Sequence, residues 1–138
     1  MGTQTKVHDF LKDSAHAAFR WGVHDCGLFA ANCYRHVHGF DLMHGLRTRY
    51  RSPQGAAKLL KEMGGYIKLA ESRFEKHGIV RVDRRMATTG AIGFVKQPKL
   101  GWTAGIFDGR DWLFAGMDGL TRYPAKMVER AYQRKEYE

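Results

Sequence analysis

The spacing of the apolar residues changes near residue 66, and this change limits the chain to an α+β fold. Before that point apolar residues recur three and four positions apart, which is typical of one face of a helix. After it, short apolar runs alternate with turn pairs such as Asp108-Gly109 and Asp118-Gly119, which is typical of strands. We therefore predict N-terminal helices packed on a C-terminal antiparallel sheet.

Three helices are predicted in the first half of the chain. Asp25 and Ser52 have side chains suited to capping the second and third of them, and Gly39 is suited to ending the second. Pro53 takes the first helical position after Ser52. The predicted ranges are about 5–19, 26–38 and 53–63.

Strands are predicted wherever short runs of β-branched, aromatic and aliphatic residues lie between turn residues. The predicted ranges are 66–69, 78–82, 91–95, 104–107, 112–115 and 127–132. The 138 residues contain no repeat and no linker, so we predict a single domain over 1–138. The sequence predicts no membrane span, because it has no run of 18 apolar residues, and no secretory signal.

The charge is strongly positive. Lys and Arg number 23 against 14 Asp and Glu, which gives a formal net charge of +9. Such an excess favours an anionic partner, either nucleic acid or an acidic protein surface. Since no nucleic-acid-binding motif overlies the basic residues, we expect contact with protein carboxylates, and a DNA-contacting module remains an alternative.

Two cysteines are present, Cys26 and Cys33. In one predicted helix they would lie about 10 Å apart, beyond the reach of a disulfide, and two reduced thiols suit folding in a cytosol. Cys26 would occupy the first turn, where unpaired amides and the helix dipole favour a thiolate. It is therefore a candidate nucleophile, and a thiol packed in the core is the alternative.

Soft metal ligands are also concentrated here. They are His24, Cys26, Cys33, His36 and His38. Their spacing does not form a recognised zinc pattern, and two cysteines two helical turns apart are poorly placed to share one tetrahedral ion. We predict no metal and no other cofactor.

The segment Trp21-Gly22-Val23-His24-Asp25-Cys26-Gly27-Leu28-Phe29-Ala30-Ala31 resembles the nucleophile helix of the NlpC/P60 cysteine peptidases. It is still more similar to a family of small phage proteins related to them. Leu46 to Tyr50, Gly55 to Leu60, Thr89 to Gly93 and Thr103 to Gly109 continue the resemblance in order, over about residues 10–132. It implies a papain-like fold, with Cys26 at the nucleophile position and Trp21 and Asp25 supporting it.

Two positions depart from the peptidase pattern. The catalytic histidine falls on Thr103, which cannot act as a base near neutral pH, and a common aspartate falls on Ala91. All seven histidines precede Thr103 in the chain. His24, two residues before Cys26, is the nearest alternative base.

The resemblance implies a structural component of a bacteriophage tail, near the tail tip or baseplate, built on a domain that has lost catalysis. Its implied partners are other tail proteins, such as a hub or tape-measure protein. Its implied location is the virion, after folding in the cytoplasm of the bacterial host. The enzymatic alternative is a peptidase that cleaves peptidoglycan stem peptides through Cys26 with a non-standard base.

Overall fold

The computed structural model describes residues 2–15, 17–98 and 101–135, and over these residues the prediction of an α+β fold is confirmed. In this part of the chain, four helices precede an antiparallel sheet of six strands. The helices are α1 Thr3–Ser14, α2 Phe29–His38, α3 Pro53–Glu62 and α4 Tyr66–Lys76. The strands are β1 Ile79–Val82, β2 Ile92–Gln97, β3 Gly101–Phe107, β4 Trp112–Gly116, β5 Gly119–Tyr123 and β6 Arg130–Arg134.

The sheet has the strand order β1-β6-β2-β3-β4-β5, so the last strand lies between the first two. Gly93 of β2 pairs with Gly105 of β3. A Cβ atom on Gly93 would collide with the ring of Trp112, and one on Gly105 with the ring of Phe114. Glycine at both positions therefore lets two large aromatic rings lie flat against the sheet.

The sheet is apolar on both faces. The helices cover one face and pack on Phe94 and Ile106. The other face holds a smaller cluster around Val95, Trp112 and Phe114, each 1% exposed. Phe94 and Val95 are adjacent in β2 and enter different clusters, as the two-residue period of a strand requires. The three strands β2, β3 and β4 therefore read as nearly continuous apolar runs, because both of their faces are covered.

The helix predicted over 5–19 is shorter than expected and ends at Ser14. A tight turn follows, in which Arg20 and His24 form an isolated antiparallel bridge. The apolar residues at 17–19 continued the helical pattern without belonging to the helix. His16, inside the predicted range, lies outside the described residues.

The strand predicted at 66–69 is wrong, because these residues begin α4. Leu69, Ala70 and Phe74 are buried at helical spacing, and Gly65 adopts φ 100°, which lets the chain reverse direction after α3. A four-residue apolar run does not distinguish a strand from one face of a helix.

The strands predicted near the C-terminus need correction in two respects. The last strand begins at Arg130 rather than at 127, because the residues after Pro124 form a short 3₁₀ turn, Ala125–Met127. β5 was not among the predicted strands, since Thr121 and Arg122 are exposed at the edge of the sheet. None of the described helices is long and apolar enough to cross a membrane.

The predicted helix caps at Ser52 and Gly39 are confirmed. Ser52 accepts a hydrogen bond from the backbone amide of Gly55 over 3.0 Å. Gly39 ends α2 in the left-handed conformation, with φ 81°. These two residues hold the ends of the helices that flank the candidate site.

Candidate functional site

A buried carboxylate organises the turn before α2. Asp25 is fully buried and accepts hydrogen bonds from the backbone amides of Gly22, Gly27 and Leu28 at 2.8–2.9 Å. It also accepts one from the hydroxyl of Tyr50 over 2.6 Å. Four donors therefore satisfy one carboxylate, and they fix the backbone on both sides of residue 26.

Gly22 lets the turn approach the segment that carries Tyr50. It adopts φ 83°, and a Cβ atom there would collide with the backbone oxygen of Tyr50. Its own carbonyl accepts a hydrogen bond from the amide of Thr48 over 3.2 Å. Any side chain at position 22 would push these two segments apart.

Cys26 does not lie in the helix itself. α2 begins at Phe29, so the prediction that the helix starts at Cys26 is wrong by three residues. The side chain of Asp25 binds the amides of Gly27 and Leu28, and the Phe29 amide bonds to the Asp25 carbonyl. This capping turn includes Cys26 and leaves its side chain half-buried.

Thr103 lies on β3 and faces this turn. It is 1% exposed, and its hydroxyl donates a hydrogen bond to the backbone carbonyl of Cys26 over 2.8 Å. The hydroxyl of Tyr66 binds the next carbonyl, that of Gly27. Two side-chain hydroxyls therefore hold consecutive carbonyl groups at the start of the turn.

The electrostatics of the site keep the thiol of Cys26 protonated. Burial raises its pKa, and the neighbouring Asp25 carboxylate raises it further. The backbone amide of Cys26 and the hydroxyl of Thr103 lower this pKa, and their effects are weaker. The expectation that the start of the helix would favour a thiolate is wrong, because desolvation and a neighbouring negative charge outweigh the amides.

His24 does not offset the rise in the pKa of the Cys26 thiol. Burial lowers the pKa of its imidazole, although the charge of Asp25 raises it in part. The ring packs edge-on to Phe29, with the centroids 6.3 Å apart. No histidine in the described part of the chain is among the groups that shift the pKa of Cys26. The neutral imidazole therefore serves the packing of the turn.

A cavity of about 180 Å³ opens beside Cys26. Its walls are mostly aromatic and aliphatic and include Trp21, Tyr50, Tyr66 and Trp102. Such a cavity suits an apolar side chain, with the thiol at one wall.

The structure brings together around this turn four residues that the sequence predicts for the site, namely Trp21, Asp25, Cys26 and Thr103. The sequence did not predict Tyr50, Tyr66 and Trp102 as site residues. Tyr50 belongs to a segment that carried the family resemblance, which was the one available signal. Tyr66 was assigned to a strand, and that error concealed its role.

The candidate metal ligands do not assemble. Over the described ranges, no group of three or more His, Cys, Asp or Glu side chains is placed to hold a metal ion. Both cysteines are free thiols. Cys33 is 1% exposed in the core, and burial raises its pKa to about 12.

A search among curated proteins found no match. One protein family matches residues 2–134, and its description is "Domain of unknown function (DUF6950)". This range includes the Asp25 turn, the cavity and all six strands of the described sheet. The chain therefore belongs to the DUF6950 family.

Proposed function

We propose that this protein is a structural component of a bacteriophage tail, in the tail tip or baseplate region, built on an NlpC/P60-like, papain-like domain that does not catalyse. The observation that carries the loss of catalysis is the hydrogen bond from Thr103 to the carbonyl of Cys26. The resemblance places a catalytic histidine at Thr103. The tail assignment follows from the same resemblance to small phage proteins.

The chemistry of the site supports this proposal. Amide cleavage by a cysteine needs a thiolate to attack the carbonyl carbon and an acid to protonate the leaving amine. Burial and Asp25 raise the pKa of the Cys26 thiol, and threonine does not titrate near neutral pH. General acid–base catalysis contributes about a hundred- to ten-thousand-fold in rate, so its loss leaves cleavage negligible.

The geometry that remains is that of a rigid structural element. The Asp25 network ties the start of α2 to Tyr50, and Thr103 ties it to the sheet. The cavity beside Cys26 would receive an apolar side chain of a neighbouring tail protein, such as the hub or the tape measure. The formal charge of +9 would favour acidic surfaces on those partners.

The second candidate is an active cysteine peptidase. The cavity favours it, because an apolar substrate side chain held there would bring the adjoining amide to the thiol. The Cys26 sulfur would form an acyl-enzyme, the amine would leave with a proton, and water would release the acid. His24 would have to supply the proton transfer, although it packs against Phe29.

Two measurements test the proposal. The first is quantification of the protein in purified phage particles and in their separated tails, where we expect a fixed copy number. Its absence from the particle would contradict the tail assignment.

The second is peptidoglycan cleavage by the purified protein and its Cys26→Ala variant. We expect no cleavage by either, and normal infectivity of particles that carry Cys26→Ala. Robust cleavage by the wild type that Cys26→Ala abolishes would instead establish the peptidase.

A further inference from the structure

A second, larger cavity lies at the other end of α2 from Cys26. Its volume is about 460 Å³. It is bounded by the start of α1, the last turns of α2, the loop before β2 and the end of β6. Its lining includes Thr3, Gln4, Tyr34, His38, Gly90 and Arg134. Among the described residues that line it, none is Asp or Glu.

Tyr34 lines this cavity and has an unpaired hydroxyl. The residue is 5% exposed, and its hydroxyl has no hydrogen-bond partner within the described part of the chain. Buried polar groups are nearly always paired, so an unpaired one is a cost to the empty protein. A ligand oxygen that accepted its hydrogen would remove that cost.

Several cationic groups surround the same space. Nη1 of Arg134 lies 3.1 Å from Nδ1 of His38. Because a guanidinium can only donate, Nδ1 of His38 accepts this hydrogen bond. Burial lowers the pKa of His38, and the charges of Arg134 and Lys6 lower it further. Lys135 also lines the cavity. Because no carboxylate is among the described lining residues to balance them, Arg134 and Lys135 make the cavity positive, while His38 is neutral.

The first turn of α1 adds amide donors. This helix of 12 residues begins after Gly2 without a side-chain cap and has no acidic residue in its first turn. Thr3 and Gln4, whose amides have no partner inside the helix, line the cavity. A helix N-terminus of this kind favours an anion through both its dipole and its free amides.

We propose that this cavity binds a phosphate group, carried by a small phosphorylated molecule or by a nucleic-acid backbone. The Arg134 guanidinium and the first amides of α1 bind its oxygens, and the Tyr34 hydroxyl donates to one of them. The site lies apart from Cys26 and is independent of the proposed tail function.

The test is a titration of the isotope-labelled protein with inorganic phosphate in a low-salt chloride buffer, followed by NMR. We expect saturable shifts of the amides of Thr3, Gln4 and Gly90, with a Kd on the order of 1 mM. Arg134→Gln should weaken binding at least about tenfold, because it removes a charge-assisted contact. Arg122→Gln is the matched control, since that arginine is exposed on β5 and paired with Asp111.

Tyr34→Phe provides a second, independent variant. We expect it to weaken phosphate binding several-fold while leaving the stability of the free protein equal or higher, because it removes the unpaired hydroxyl. Absence of saturable shifts up to about 20 mM phosphate would overturn the proposal. So would an equal loss of binding in Arg134→Gln and Arg122→Gln, which would reflect net charge alone.

A short DNA duplex distinguishes the two sources of phosphate. If the duplex shifts the same amides and competes with phosphate, the group bound is a backbone phosphate. If phosphate binds and the duplex does not, the ligand is a small phosphorylated molecule. Either result supports the site, and failure of inorganic phosphate to bind overturns it.

Discussion

The hydroxyl of Thr103 donates a hydrogen bond to the backbone carbonyl of Cys26 over 2.8 Å. It joins β3 to the turn before α2, across 77 residues of sequence. In the proposed relation to NlpC/P60 peptidases a catalytic histidine would stand at this position, whereas this threonine binds the backbone. The contact is part of the structure of the turn.

Thr103→Val should therefore destabilise the protein. Valine has nearly the same shape but leaves the Cys26 carbonyl without its donor, so we expect a loss of about 1–2 kcal/mol in the free energy of unfolding. The pKa of the Cys26 thiol should also rise further, because the Thr103 hydroxyl is one of the groups that lower it. Urea denaturation and the pH dependence of alkylation measure both. Thr121→Val, on the exposed edge strand, is the control and should change neither.

Asp25→Asn should make the protein less stable and Cys26 more reactive. Asparagine keeps the shape but turns a donor group toward amides that need an acceptor, at a cost of about 2–4 kcal/mol. The same change removes the negative charge that raises the pKa of the Cys26 thiol, so that pKa should fall. Iodoacetamide should then alkylate the folded variant faster than the wild type at pH 8.

Tyr50→Phe is the matched control for that experiment. It removes one donor to Asp25 and leaves the carboxylate charge in place. We expect a smaller loss of stability, about 1 kcal/mol, and no increase in alkylation of the folded protein. Equal acceleration in both variants would mean that local unfolding, and not charge, exposes the thiol.

The sequence correctly predicted the helix ends that are marked by capping residues. Ser52-Pro53 and Gly39 marked helix ends because capping depends on a few adjacent residues. Tyr66 was misassigned because a four-residue apolar run fits a strand and a helix equally. The pKa of Cys26 was misjudged because it depends on burial and on the Asp25 charge, which only the folded backbone brings together. The cavity was unpredictable for the same reason, since its walls come from five separate segments.

Gly22→Ala should be more destabilising than Gly39→Ala. The two glycines have nearly the same φ, 83° and 81°, so the conformational penalty of about 1–2 kcal/mol is common to both. Only at Gly22 does the added Cβ also meet backbone, that of Tyr50, while the space at Gly39 is open. Thermal and urea unfolding should show Gly22→Ala to be the less stable. Equal losses would mean that the approach of residue 22 to Tyr50 contributes nothing.

Cys33 should lower the free energy of unfolding of the protein at alkaline pH. Its pKa is about 12 in the folded state, against 9.0 for an ordinary cysteine thiol. The unfolded chain therefore loses this proton at a lower pH than the folded chain does. The stability that the buried, protonated Cys33 thiol contributes is complete below pH 9.0 and is lost as the pH rises toward about 12. Cys33→Ala should flatten the decline of unfolding free energy over this window, whatever its effect at pH 7. An unchanged slope would place the titration in the buried tyrosines instead.

Thr103→His tests whether the site is a peptidase that has lost its base. The imidazole would stand at the residue that now contacts the Cys26 carbonyl, next to a cavity with room beside Trp102. A histidine near the thiol would lower its pKa and could protonate a leaving amine. We expect faster alkylation at pH 7 and measurable cleavage of peptidoglycan by this variant, while the wild type shows neither.

Thr103→Phe is the control for that substitution, because it brings similar bulk without a titratable group. Adding Cys26→Ala to Thr103→His should abolish any cleavage, since no other described side chain in the cavity is a thiol. If the remaining geometry is competent, Thr103→His should cleave faster than Thr103→Phe by about a hundred- to ten-thousand-fold, which is the usual contribution of general acid–base catalysis. A folded Thr103→His protein whose thiol stays as unreactive as in the wild type would show that the Asp25 turn, and not only the missing histidine, prevents catalysis.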